Sequence, residues 1–140
     1  MIGDDGGVTT TIDKIAWIHL SGGRILGTRS RGNDVYYLPG GKREPGETDI
    51  DTLAREIMEE LTVTIDRSTA AHLGTFQAQA HGKADGVLVR MTCYTADHDG
   101  TPTASNEIAE VAWLTYSDRD RVAAVDQIIF DHLHGDGRLT

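Results

Sequence analysis

The chain is expected to fold as one α/β domain, a central mixed sheet flanked by helices. Three observations predict this. Apolar residues recur at helical period in two stretches, 50–61 and 117–133. Shorter β-prone runs lie before and between them, an order that lays helices over a sheet rather than in a bundle. The 140 residues, 39% hydrophobic and 25% charged, suffice for one filled core.

Taken in order, the opening "MIGDDGGVTTT" is acidic and rich in Gly and Thr, without the basic start or apolar core of a signal peptide. Residues 1–12 are expected to form a loose tail. "KIAWIHL" (14–20) and "RILGTRS" (24–30) flank "SGG" and predict a hairpin. "DVYYLPGG" (34–41) predicts a short extended run, stopped by Pro39 and the turn of Gly40 and Gly41. In the first helical stretch Ile50, Leu53, Ala54, Ile57 and Leu61 make one apolar stripe, with Thr48 or Asp49 available as cap. Strands are predicted near 70–78 and 86–95, the second alternating through Val87, Val89, Met91 and Cys93. After a loop over 98–107, "IAEVAWLTY" (108–116) predicts the last strand. The stretch 117–133 predicts a closing amphipathic helix, capped by Ser117 or Asp118. The domain is expected over 13–134, with residues 135–140 fraying.

Composition narrows the function. No apolar run approaches the ~20 residues that cross a bilayer. Cys93 is the only cysteine, so no internal disulfide forms and a reducing cytoplasm is the expected setting. A net charge of −9 argues against a grip on a nucleic acid polymer, which calls for a basic face. It leaves open a small phosphorylated ligand held through a metal ion.

The stretch "REIMEELTV" (55–63) carries the chemistry. Glu56, Glu59 and Glu60 share one turn of helix opposite the Leu53–Ile57–Leu61 stripe. Like charges at i,i+3 and i,i+4 cost roughly 0.2–0.5 kcal/mol per pair. Either water screens them on an ordinary polar face, or a cation sits among them. A hard divalent ion takes oxygen ligands, and carboxylates at this spacing offer several to one small volume. A backbone carbonyl of the preceding glycine turn, that of Gly40, could join them. Without metal the carboxylates raise one another's pKa, and a bound cation reverses this.

Gly41, Glu47, Arg55, Glu56, Glu59 and Glu60 stand at fixed intervals. Together they resemble the Nudix hydrolase signature, here residues 41–63, and the order of elements resembles that family along nearly the whole chain. Six fixed identities arise by chance about once in a million chains of this size. The resemblance implies a Nudix-type α/β/α sandwich. It implies a hydrolase using Mg²⁺, or Mn²⁺, to cleave the diphosphate linkage of a nucleoside diphosphate derivative. Glu59 and Glu60 would be the principal metal ligands, and Glu56 a further ligand or the base. Arg55 would hold Glu47, and Gly41 would support the site. Glu107, with Glu110 as alternate, matches the acid that relatives carry before a late strand. Lys42 and Arg29 match phosphate-contacting positions. Trp17 is either a base-stacking platform or a core residue. Family members are often homodimers.

The small size and bare architecture, without the extra residues of other subfamilies, resemble the (d)NTP pyrophosphatases that remove oxidised nucleotides, which implies a (d)NTP or oxidised (d)NTP as substrate. ADP-ribose, nucleotide sugars and dinucleoside polyphosphates are the alternatives, as are a nucleotide-sensing module without catalysis and a protein-docking role for the acidic helix. One position departs from the pattern. Thr62 stands where the family has glycine, and the expectation is a right-handed or extended turn there.

Overall fold

The computed structural model describes residues 10–140. Nine strands and two α-helices follow in order: β1 (Thr11–Trp17), β2 (Leu20–Ser21), β3 (Arg24–Ser30), β4 (Gly40–Lys42), α1 (Asp49–Leu61), β5 (Thr64–Ile65), β6 (Ala71–Gln79), β7 (Leu88–Thr95), β8 (His98–Asp99), β9 (Ile108–Leu114) and α2 (Ala124–Gly135). The main sheet runs β4-β1-β7-β6, with β1 parallel to β7 and the other pairs antiparallel. A second sheet, β2-β3-β9, is antiparallel throughout, and β5 with β8 forms a two-stranded ladder.

The alternation of β1 distributes the core. Ile15 and Trp17 pack with Leu53, Ile57 and Leu61 of α1, while Ala16 packs with Ile129, Phe130 and Leu133 of α2. The mixed sheet is therefore covered by a helix on each face, as the sequence predicts. Full burial of each such large apolar side chain stabilises the fold by about 1.5–3 kcal/mol. No helix among the described residues is long and apolar enough to cross a membrane.

The N-terminal hairpin is smaller than expected. Only β2 and β3 pair across the glycine turn, through Leu20↔Ile25 and Ser21↔Arg24. β1 stops at Trp17 and joins the other sheet, because Ile15, Ala16, Trp17 and Ile18 are all buried, as in a strand covered on both faces. β1 also starts at Thr11, inside the expected tail; the rest of that tail, residues 1–9, lies outside the described residues. Gly40 and Gly41 do not form a tight turn. They are strand residues of β4, registered against Ala16 and Ile15. A side chain at Gly40, whose φ is +147°, would collide with the Ile15 carbonyl.

Thr48 caps α1, its hydroxyl accepting from the Asp51 amide at 3.1 Å while the Asp51 carboxylate accepts from the Thr48 amide. Thr62 corrects the expectation at the other end: it is left-handed, with φ 58° and ψ 31°. That conformation costs an L-residue roughly 1–2 kcal/mol. Burial on both sides outweighs it, since Leu61 and Val63 are fully buried and the Thr62 amide still bonds the Met58 carbonyl at 3.0 Å.

The closing helix is also shorter than predicted. Residues Tyr116–Arg121 form a 3₁₀ turn, in which Asp118 accepts from the Thr115 amide, and α2 begins only at Ala124. Tyr36 interrupts the run by bonding both the Arg121 carbonyl and the Ala123 amide. The last residues do not fray. Leu139 is buried, and Thr140 bonds to Gly23 and Tyr116.

Candidate active site

The acidic face of α1 meets the sheet at its β4 edge, and the glycine pair is what permits this approach. Gly41 has no Cβ where the Glu56 carboxylate lies, and any side chain there would occupy the same space. The Gly40 amide donates to Glu60 Oε1 at 3.1 Å. It is thus the amide of Gly40 that engages the acidic cluster.

Arg55 ties the remainder together. Its Nε and Nη2 fork onto the two Glu47 oxygens at 2.7 and 2.9 Å. Nη1 donates to Glu56 at 2.7 Å and lies 3.5 Å from Glu59, and Nη2 also reaches the Lys42 carbonyl at 3.0 Å. The Arg55 fork, the Glu44 amide and the Thr52 hydroxyl hold Glu47 down at about 2. Glu56 behaves oppositely: burial raises its pKa, and Glu59 and Glu107 add repulsion that Arg55 does not fully offset. Glu60 is pushed up to about 8 by burial and by the charges of Glu56 and Glu107, against the Gly40 amide and Lys14.

Glu56, Glu60 and Glu107 lie near one another in the lining of a cavity of about 650 Å³, open to solvent. Lys14 and Lys42 line it as well, and Tyr37, Leu38, Met91 and Val125 give it an apolar wall. Glu59 is exposed on the outer rim of α1. Most of the residues singled out in the sequence therefore come together: Gly40, Gly41, Lys42, Glu47, Arg55, Glu56, Glu59, Glu60 and Glu107.

Two do not. Trp17 is fully buried in the α1-side core, its Nε1 donating to the Ala96 carbonyl at 3.2 Å, so its ring cannot receive a base. Arg29 is turned away because side chains alternate along β3: Thr28 and Ser30 face the cavity and Arg29 the opposite side. There its Nε donates to Glu110 at 3.0 Å, and the Tyr36 hydroxyl donates to the same carboxylate at 2.7 Å. Glu110 is thereby a structural partner of Arg29, outside the cavity. Lys14 was not anticipated. The signal was its place between Ile12 and Ala16, a polar residue on an otherwise apolar strand face.

Among the described residues no three carboxylates, histidines or cysteines converge into a ready-made metal cage. The donors nevertheless suit a hard cation in kind. Glu60 is a buried carboxylate with one hydrogen bond and two negative neighbours, an environment that a divalent ion would neutralise.

Comparison with known proteins agrees with this geometry. A family model described as the NUDIX domain matches residues 13–133. A MutT-like protein of Streptomyces ambofaciens is 31% identical over 119 residues, which cover 82% of this chain and 71% of that one. Among solved structures, the MutT protein of Methanosarcina mazei superposes with a TM-score of 0.74 at 19% identity, covering 92% of this chain and 96% of that one. The E. coli ORF135 protein gives 0.71 at 23% identity, covering 91% of each chain. With the signature residues gathered on α1 and β4 and the family match spanning nearly all of the fold, the chain belongs to the Nudix hydrolase family.

Proposed function

We propose that this protein is a metal-dependent pyrophosphohydrolase that cleaves the diphosphate linkage of a nucleoside diphosphate derivative, with a (d)NTP or oxidised (d)NTP as substrate. Family membership supports the general class, hydrolysis of phosphoanhydrides. The observation that carries the reading is the set Glu56, Glu60 and Glu107 lining a cavity whose ≈ 650 Å³ suits a nucleotide-sized ligand.

Glu56, Glu59 and Glu60 would hold Mg²⁺ or Mn²⁺, which supplies Lewis acidity toward the phosphoryl oxygens and a water of lowered pKa. Glu56 or Glu107 accepts the proton of the attacking water, both carboxylates lining the same cavity. Arg55 fixes Glu56 from one side and Glu47 from the other, so that the helix face keeps its geometry as charge develops. Lys42 contacts the phosphate chain. The products are two phosphorylated fragments, such as a nucleoside monophosphate and pyrophosphate. The setting we propose is the cytoplasm.

The test is a hydrolysis panel of (d)NTPs, oxidised dGTP, ADP-ribose, nucleotide sugars and dinucleoside polyphosphates with Mg²⁺ or Mn²⁺. Cation-dependent release of phosphorylated products from a (d)NTP supports the proposal. Tight nucleotide binding without cleavage of any compound contradicts it.

A further inference from the structure

β1 turns Ile12, Lys14 and Ala16 to the α2 face of the sheet, and both Ile12 and Lys14 line the cavity. In the antiparallel β1–β4 pair Lys14 stands directly opposite Lys42. Directly opposed residues of neighbouring strands project from the same face, and like charges so placed destabilise the pair. Among the described residues neither ammonium has a carboxylate within ion-pair distance, whereas Arg29, Arg43 and Arg55 each have one. The Lys14 ammonium lies 5.6 Å from the centroid of the Tyr37 ring. Its positive charge acts on Glu60, which lines the cavity, and on the buried Asp126 of α2. Asp126 is fully buried.

Two unpaired ammoniums held in register on one cavity wall make a site for an anion, beside the carboxylates that suit a divalent ion. We propose that Lys14 and Lys42 form a clamp for the phosphate chain, Lys14 being a substrate-binding residue that takes the place Arg29 leaves empty by turning away. This rests on the hydrolase reading above, because it assigns a further residue to that site. The anion between the strands removes the Lys14–Lys42 repulsion and completes the hydrogen bonding of both ammoniums. An adjoining apolar wall of Leu38, Met91 and Val125 leaves room for the group that the phosphates carry.

The experiment is calorimetric titration of inorganic pyrophosphate in Mg²⁺ onto the full chain and onto Lys14→Met, Lys14→Gln and Lys14→Arg. Thermal melts establish that each variant is folded, and two neutral substitutions guard against a misfolded one. The clamp predicts that both neutral variants lose at least about tenfold in pyrophosphate affinity, while Lys14→Arg stays within about threefold of the parent. With a hydrolysed nucleotide, the neutral variants should raise KM by a similar factor and leave kcat within about threefold. Unchanged pyrophosphate affinity overturns the proposal, as does a parent chain that does not bind pyrophosphate. A raised KM with unchanged pyrophosphate affinity also overturns it, placing Lys14 on the attached group instead. If the parent hydrolyses nothing in the panel, the hydrolase reading fails, and the pyrophosphate titration still decides the role of Lys14.

Discussion

Glu47, in the loop before α1, and Glu60, in the last turn of that helix, are treated in opposite ways. Glu47 receives the Arg55 fork, the Glu44 amide and the Thr52 hydroxyl, and its pKa falls to about 2. Glu60 receives one amide, lies buried beside two other carboxylates, and rises to about 8. The first is saturated by the protein itself, so its charge is structural. The second is left short of positive charge, in a place reachable from the cavity. The Arg29–Glu110 pair belongs with Glu47: two opposite charges that answer each other. Lys14 belongs with Glu60. Glu60 and Lys14 line the cavity, whereas Glu47 and the Arg29–Glu110 pair lie outside its lining.

The difference can be broken most severely at Glu60. Replacement by Gln should lower kcat on the order of 10³-fold while leaving the melting temperature unchanged or higher, because a buried, poorly compensated carboxylate is removed. Near-normal turnover would place the metal elsewhere. At the saturated end, Arg55→Lys keeps the charge but loses the planar fork onto Glu47. Steady-state kinetics should show a fall of about 10–100-fold in kcat, the range expected for a group that orients ligands.

Titration sharpens the contrast through its sign. Glu60 has its pKa raised in the folded chain, so between about 4.5 and 8 the folded form binds more protons than the unfolded one. Its contribution to stability is therefore present below that window and lost as pH rises through it. Glu47, with a lowered pKa, contributes stability that is lost as pH falls from 4.5 towards about 2. Urea unfolding in EDTA should show a fall in stability across pH 5–8 that is reduced in Glu60→Gln. Added Mg²⁺ should flatten it in the parent chain. The smallest effect is expected at Thr62. Glycine there relieves the left-handed penalty and should stabilise by about 1 kcal/mol or less, with metal dependence intact. Loss of activity would mean that the Thr62 side chain itself supports the site.

Much of this was legible in the residues. The stripe Leu53–Ile57–Leu61, the carboxylates opposite it and the glycines before it locate α1, its buried face and its acidic face, because those features are local and periodic. What was not legible depended on partners distant in the chain. β1 looks like half of a hairpin until β7 claims it, and Thr62 looks right-handed or extended until the burial of Leu61 and Val63 on both sides decides otherwise. Arg29 and Lys14 exchange importance for the same reason. Each is a cation on a strand, and only the pairing of β3 with β9 and of β1 with β4 reveals which one faces the cavity.

The most direct test is an amide NMR spectrum of the parent chain and of Glu60→Gln titrated with Mn²⁺, whose unpaired electrons broaden nearby signals. Selective broadening of the Gly40, Glu56 and Glu60 amides in the parent, weakened in the variant, is the expected result. Broadening confined to other acidic surfaces, or identical in the two proteins, would contradict a cation seated between α1 and β4.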